Sequence, residues 1–236
     1  MQLFYNPNIT ENTKEILFTK EESRHIVRVL RKKEEDLLKI TNGKNYLFTA
    51  KIIIANDKKC AAIIVETEYK KKSWNYNLHI AIAPTKNIDR LEWFLEKATE
   101  IGIDEITPII CQNSERKIVK HDRLEKIMLS AMKQSLKYNA PILHPTTKFS
   151  DFINSHENTS SIHIAHCRES YKTPLKQLND LPNKVTILIG PEGDFSEKEV
   201  LEALKTGATP ISLGTSRLRT ETAALVAVHS INFMKN

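Results

Sequence analysis

The stretch 185–228, VTILIGPEGDFSEKEVLEALKTGATPISLGTSRLRTETAALVAV, constrains this chain more than any other. Its β-branched and leucine run at 185–189 suits a strand buried on both faces. The run breaks at Gly190-Pro191-Glu192-Gly193, where glycines permit positive φ or close backbone approach. Ser196 and Glu199 have the spacing of a capping box, and Gly207 stands where a helix would end. Residues 209–213 read as a second strand neighbouring the first. Gly214 then opens the loop TSRLRTET before an apolar helix at 223–233. Two glycine loops at the ends of neighbouring strands are where an open α/β sheet holds a ligand. The common phosphate patterns fail: no GxGxxG follows a predicted strand and there is no GxxxxGK[ST], which argues against dinucleotide and P-loop sites.

Upstream of that stretch, strands alternate with helices. Residues 78–83 read as a buried strand ending in APTK. Residues 89–101 place Leu91, Phe94, Leu95, Ala98 and Ile101 at helical spacing, with Gly102 as terminator. A strand at 106–110, an amphipathic helix at 121–137 and a strand at 161–165 follow. This alternation predicts a parallel α/β sheet. The first 72 residues differ. They read as strands at 15–19, 37–41, 46–54 and 60–69, with a short helix at 21–30. Asn42-Gly43 and Asn56-Asp57-Lys58 supply turns. Lys70-Lys71-Lys72-Ser73 is a charged break, so the expected domains are 1–72 and 73–236.

Charge separates the two parts. The chain carries +6 in total, and residues 1–72 hold 15 Lys and Arg against 10 Asp and Glu. The remaining residues are close to balance at 20 against 19. A basic small domain beside a near-neutral larger one suggests that the first part meets a polyanion. The helix SRHIVRVLRKK places Arg24, His25, Arg28, Arg31 and Lys32 around Ile26, Val27, Val29 and Leu30, so that one face packs while the other presents cations suited to phosphates. Three widely spaced cysteines with no CxxC fit free thiols in a reducing cytoplasm. No HExxH or similar cluster supports a metal, no run approaches the ~20 apolar residues of a membrane span, and no secretory signal is expected.

LIGPEGDFSEKE together with LGTSRLRTETA resembles the paired C-terminal motifs of the SPOUT methyltransferases, and most closely the RsmE family of 16S ribosomal RNA uracil-N(3) methyltransferases. The similarity extends along most of the chain. Arg28 and Arg31 lie in a segment similar to the family's HxxxVLR. Lys86, Arg90, Lys97, Glu100 and Gly102 match its K…R…KATExG helix, and Ser114-Glu115-Arg116 its SER loop. Gln134-Ser135 and Pro141 match its EQS…P stretch, with Lys133 where Glu is usual. Ser216-Arg217 also departs from the more frequent LGxRILR. The resemblance implies a PUA-like β-barrel at 1–72, and a SPOUT domain with a trefoil knot at about 185–228. It also implies S-adenosylmethionine as cofactor, 16S ribosomal RNA or the small subunit as substrate, and a homodimer whose interface the last apolar helix could supply.

The same resemblance implies a site. Ile189, Gly190, Pro191, Glu192, Gly193, Leu213, Gly214, Leu218, Arg219 and Thr220 would hold the cofactor. Ile189, Leu213 and Leu218 would cover the adenine faces while backbone groups read its edge. Uracil N(3) carries a proton and is a poor nucleophile until that proton leaves. The site therefore needs a base, or cations for the developing anion. Arg219, Arg116 and Arg90 are candidates for the cationic role, Glu100 and Glu192 for the base. N(3) takes part in pairing, so the target must be unpaired or flipped. Two alternatives stay open: a methyltransferase for another RNA, and a non-catalytic RNA-binding protein.

Overall fold

A computed structural model describes residues 2–155, 161–178 and 181–235. The chain forms two compact units, one of residues 1–73 with 132–140 and one of residues 74–131 with 141–236.

The first unit holds β1 (Leu3–Tyr5), β2 (Glu15–Leu17), α1 (Lys20–Arg24), β3 (Leu37–Thr41), β4 (Tyr46–Ile54) and β5 (Ala61–Tyr69). Its sheet runs β1-β3-β4-β5-β2 and is antiparallel except where β1 pairs with β3. Phe4, Ile16, Phe18, Ile26, Ile40, Phe48 and Ile52 form its core. Asn56 Oδ1 accepts from Lys58 N at 2.8 Å in the β4–β5 connection, an Asx turn of the kind such a residue favours. The helix expected at 21–30 is shorter. After Arg24 the chain widens into a π-helical turn, His25–Val29, with Leu30 N donating to His25 O at 2.9 Å. Its β-branched Ile26, Val27 and Val29 are poorly suited to a continuous α-helix. Ser23 stays fully buried, its hydroxyl accepting from Cys60 N at 2.9 Å.

The second unit is built on β6 (Asn77–Ile82), α2 (Ile88–Ile101), β7 (Glu105–Ile110), residues 121–131 of α3 (His121–Gln134), β8 (Ile142–Leu143), β9 (Thr147–Lys148), α4 (Phe149–Asn154), β10 (Ser161–Ala165), β11 (Thr173–Pro174), β12 (Lys184–Ile189), α5 (Glu197–Lys205), β13 (Thr209–Ser212) and α6 (Thr220–Lys235). Its parallel sheet runs β11-β13-β10-β12-β6-β7-β8, with β9 also on β7. Successive side chains of β12 feed opposite layers, as the period of a strand requires. Val185, Ile187 and Ile189 pack with Leu91, Phe94 and Leu95 of α2 and Ala227, Val228 and Ile231 of α6. Leu188 packs with Phe152 of α4 and Val200 and Ala203 of α5. The sheet is thus covered on both faces, which is why its central strand β12 reads as a β-branched and leucine run.

The Ser196–Glu199 capping box forms, Ser196 N donating to Glu199 Oε2 at 2.8 Å and Glu199 N to Ser196 Oγ at 3.3 Å. Two expectations need correction. β12 and β13 are not neighbours, because β10 lies between them. The helix expected to reach residue 137 stops at Gln134, since Leu136 adopts φ 54° and Lys137 N turns back to Met132 O at 3.0 Å. The last helix starts at Thr220, where the loop after Gly214 was expected to enter it. Several short elements, β1, β8, β9, α4 and β11, carry no periodicity long enough to read from sequence.

Candidate active site

Parallel strands end together, so β6, β10, β12 and β13 deliver their following loops to one edge of the sheet. The loop after β12 is tightly braced. Asp194 N donates to Pro191 O at 2.9 Å, and Asn113 Nδ2 to the carbonyls of Gly193 and Asp194 at 3.1 and 3.0 Å. Gly190 is required by packing: a Cβ there would stand 3.0 Å from the Phe195 ring and 3.1 Å from its backbone nitrogen. Glu192 Oε1 accepts from Lys86 N at 2.9 Å, fastening this loop to the one that follows β6.

Between the loops lies a cavity of about 590 Å³, within the range of small-molecule sites. Its walls come from the end of β10, from Gly193, Asp194 and Phe195, from residues 211–218, and from Ala223. Ile211, Leu213 and Leu218 give it apolar surface, while Arg168 and Lys172 bring cations. Gly214 adopts φ 136°, and a Cβ there would meet nothing within 4 Å. His166 is 8 % exposed, and neither ring nitrogen has a hydrogen-bond partner among the described residues. Burial, and then Lys172 and Arg168, push its imidazole below the ordinary histidine value, against the opposing pull of Asp194. It therefore presents one neutral donor and one acceptor. Orphaned ring nitrogens beside apolar walls and two cations suit a ligand with a flat heterocycle, hydroxyls and a carboxylate. S-adenosylmethionine has these parts, and the residues present fit it.

Of the cofactor residues expected from sequence, Gly193, Leu213, Gly214 and Leu218 line this cavity. Ile189, Gly190, Pro191, Glu192, Arg219 and Thr220 are not among its lining residues. Thr220 is buried, with its hydroxyl on the Gly190 carbonyl at 3.1 Å. Arg219 opens instead onto a second cavity of about 340 Å³ that also includes Arg90. The Arg116 guanidinium donates to Thr85 O at 3.1 Å and Lys86 O at 2.7 Å, holding the chain after β6. Glu100 takes Lys97 Nζ at 3.0 Å and lies ten residues along α2 from Arg90, about 15 Å. The sequence reading missed His166, Cys167, Arg168 and Lys172, which enter because β10 separates the two glycine-loop strands. The signal for His166, Cys167 and Arg168 was position alone, just after the buried run Ile162–Ile164; Lys172 carried none.

In the first unit, Arg31, Lys32 and Lys33 line a cavity of about 520 Å³ with Val27, Glu34 and Ala55. Arg28 is held by Asp57. His25 packs edge-on to Phe4, its ring centroid 6.2 Å away. Arg24, in the last turn of α1, is exposed.

A PUA-type sheet unit, together with a two-faced parallel sheet whose loops enclose such a cavity, defines the class of RNA methyltransferases. Residues 72–232 match the family pattern of an RNA methyltransferase domain, and residues 18–65 that of an RNA methyltransferase PUA domain. The chain belongs to the ribosomal RNA small subunit methyltransferase E family. The relative from Rickettsia conorii bearing that name is 30% identical, over 99% of this chain and 95% of its own. Among solved structures, a probable rRNA-methyltransferase from Porphyromonas gingivalis is 41% identical with a TM-score of 0.92, covering 100% of this chain and 98% of that one. A ribosomal RNA small subunit methyltransferase E from Neisseria gonorrhoeae, bound to S-adenosyl methionine, is 25% identical with a TM-score of 0.86, covering 99% and 97%.

Proposed function

We propose that the protein methylates N(3) of a uridine in 16S ribosomal RNA, with S-adenosylmethionine as methyl donor. The observation that carries this reading is the 590 Å³ cavity between the two glycine loops, with the orphaned His166 nitrogens in its wall. It belongs to a chain of a family named for small-subunit ribosomal RNA methylation. When bound, the cofactor supplies an electrophilic methyl group on a sulfonium.

The protein's own part is positional and electrostatic. Leu213 and Leu218 enclose the heterocycle, His166 bonds a polar edge or hydroxyl, and Arg168 and Lys172 meet the carboxylate. Arg90 and Arg219 stand at the adjoining cavity, where cations would stabilise charge developing on an acceptor base. Residues 1–72 act as the RNA-docking part through the basic face of Arg24, His25, Arg28, Arg31 and Lys32. Residues 73–236 do the chemistry on a knotted fold at about 185–228. Two copies associate through α6, and the protein works in the cytoplasm.

The test is in vitro methylation of small-subunit particles lacking the modification, followed by mass spectrometry of the nucleosides. The expected product is 3-methyluridine in 16S RNA. A different methylated base, or methylation of transfer RNA in preference to ribosomal particles, would overturn this assignment.

A further inference from the structure

The second cavity is lined by Asp89, Arg90 and Trp93 of α2 and by Arg219, Glu221 and Thr222 around the start of α6. Trp93 is 43 % exposed, an unusual position for an indole on a helix whose Leu91, Phe94 and Leu95 are buried. Glu221 is the opposite case, only 7 % exposed, yet among the described residues nothing hydrogen-bonds to its Oε2. Its Oε1 stands 3.8 Å from Arg90 Nε, too far for a hydrogen bond. A buried carboxylate oxygen left unpaired is costly and marks a place where a donor belongs.

Resting on the proposed uridine methylation, we propose that this cavity is the uracil pocket, with the base stacked on Trp93 and its N(3)–H given to Glu221 Oε2. The chemistry matches edge to edge. Uracil presents acceptor, donor, acceptor at O2, N(3)–H and O4. The cavity offers a carboxylate acceptor together with two guanidinium donors, Arg90 and Arg219. Cytosine would put a lone pair at N(3) against the carboxylate and is rejected. The indole supplies a stacking platform of the kind that holds unpaired bases. The cavity shares the segment 218–223 with the larger one, whose wall includes Leu218 and Ala223. In the transfer itself the N(3) proton passes to Glu221 Oε2. The nitrogen pair then forms a bond to the methyl carbon as the carbon–sulfur bond breaks and its electrons go to sulfur. The products are 3-methyluracil, a neutral Glu221 and the thioether S-adenosylhomocysteine. Glu221, which no motif spacing singles out as a base, is thereby the catalytic proton acceptor.

The chain has two tryptophans, and Trp74 is 4 % exposed, so ligand-dependent quenching reports on Trp93. With S-adenosylhomocysteine present, oligouridylate should quench this emission at concentrations at least about tenfold lower than oligocytidylate of equal length. Trp93→Phe should remove the signal. Glu221→Gln should cut methyl transfer by about 100-fold or more while S-adenosylhomocysteine affinity is unchanged. Its residual rate should climb with pH as free uracil ionises. Equal quenching by both polymers, no quenching, or a Glu221→Gln enzyme of normal rate would overturn the pocket. Emission that responds only to protein concentration would assign Trp93 to a contact between copies and overturn it too. If particles are methylated at a uridine yet Trp93 is indifferent, the inference fails while the proposed activity stands. If no uridine is methylated, that activity fails first.

Discussion

Thr220 Oγ1 donates to the carbonyl of Gly190 at 3.1 Å, joining the loop after β12 to the first turn of α6. Both ends of this bond are buried. It fixes the spacing between the first glycine loop and the helix that follows the second.

Thr220→Val keeps the shape and removes the donor, leaving the Gly190 carbonyl unsatisfied. The expected cost is about 1–3 kcal/mol of stability. The affinity for S-adenosylhomocysteine should fall with it, because the two loops lose their common anchor. Thermal melting and calorimetry measure the two effects. An unchanged melting temperature would show that the bond contributes nothing.

Gly214 makes a second test, through backbone and not through crowding. Its φ of 136° is one that residues with a Cβ rarely adopt, although a Cβ there would touch nothing within 4 Å. Gly214→Val should therefore strain the loop by about 1–3 kcal/mol and displace Leu213 and Leu218. Cofactor binding should weaken at least about tenfold, each tenfold being ~1.4 kcal/mol. The fold should persist by circular dichroism. Unchanged affinity would place the cofactor elsewhere.

The limits of the sequence reading have physical causes. β12 was legible because a strand buried on both faces needs an unbroken apolar run, and Ser196 with Glu199 because capping chemistry is local. Strand order is not local. Nothing in residues 185–213 says that β10 inserts between β12 and β13, so His166 and Arg168 could not be placed in the cavity wall. Glu221 was hidden for a similar reason. Its burial depends on α2 lying against α6, a packing between segments about 130 residues apart. Conversely, Arg116 was a candidate for the cationic role, but its guanidinium donates to the carbonyls of Thr85 and Lys86.

Acid stability should depend on β10. His163 is 4 % exposed, its Nε2 lies 3.1 Å from Ser161 Oγ, and burial pushes its pKa down to about 4. The unfolded chain binds this proton near pH 6.5. The neutral imidazole therefore costs nothing above pH 6.5, and stability is lost as pH falls from about 6.5 to about 4. The full loss is about 3 kcal/mol. His163→Leu should flatten the denaturation midpoint across that window by one proton's worth of slope. Some slope should remain, because burial lowers His166 in the same direction. A variant with the same pH profile as the parent would exclude His163 as the titrating group.

The basic face of the first unit gives the last prediction, and its members are not equivalent. Arg28 already has Asp57 as partner, so a phosphate would have to compete with that carboxylate. Arg31 and Lys32 line an open cavity, and Arg31 adopts φ 53° where the chain leaves the π-helical turn. Arg31 is exposed and Lys32 half-buried, so both can be reached by a phosphate. If each of the two neutralises one phosphate, replacing both by Ala should lower the salt dependence of RNA affinity. The plot of log affinity against log salt should lose about 1.4–1.8 units of slope. Affinity should fall for all RNA sequences alike, since phosphate contacts carry no base information. Arg28→Ala should change the slope by much less. Binding isotherms for a small-subunit RNA fragment at several salt concentrations measure all three. Identical slopes for the parent and the double variant would mean that RNA approaches the first unit from another face.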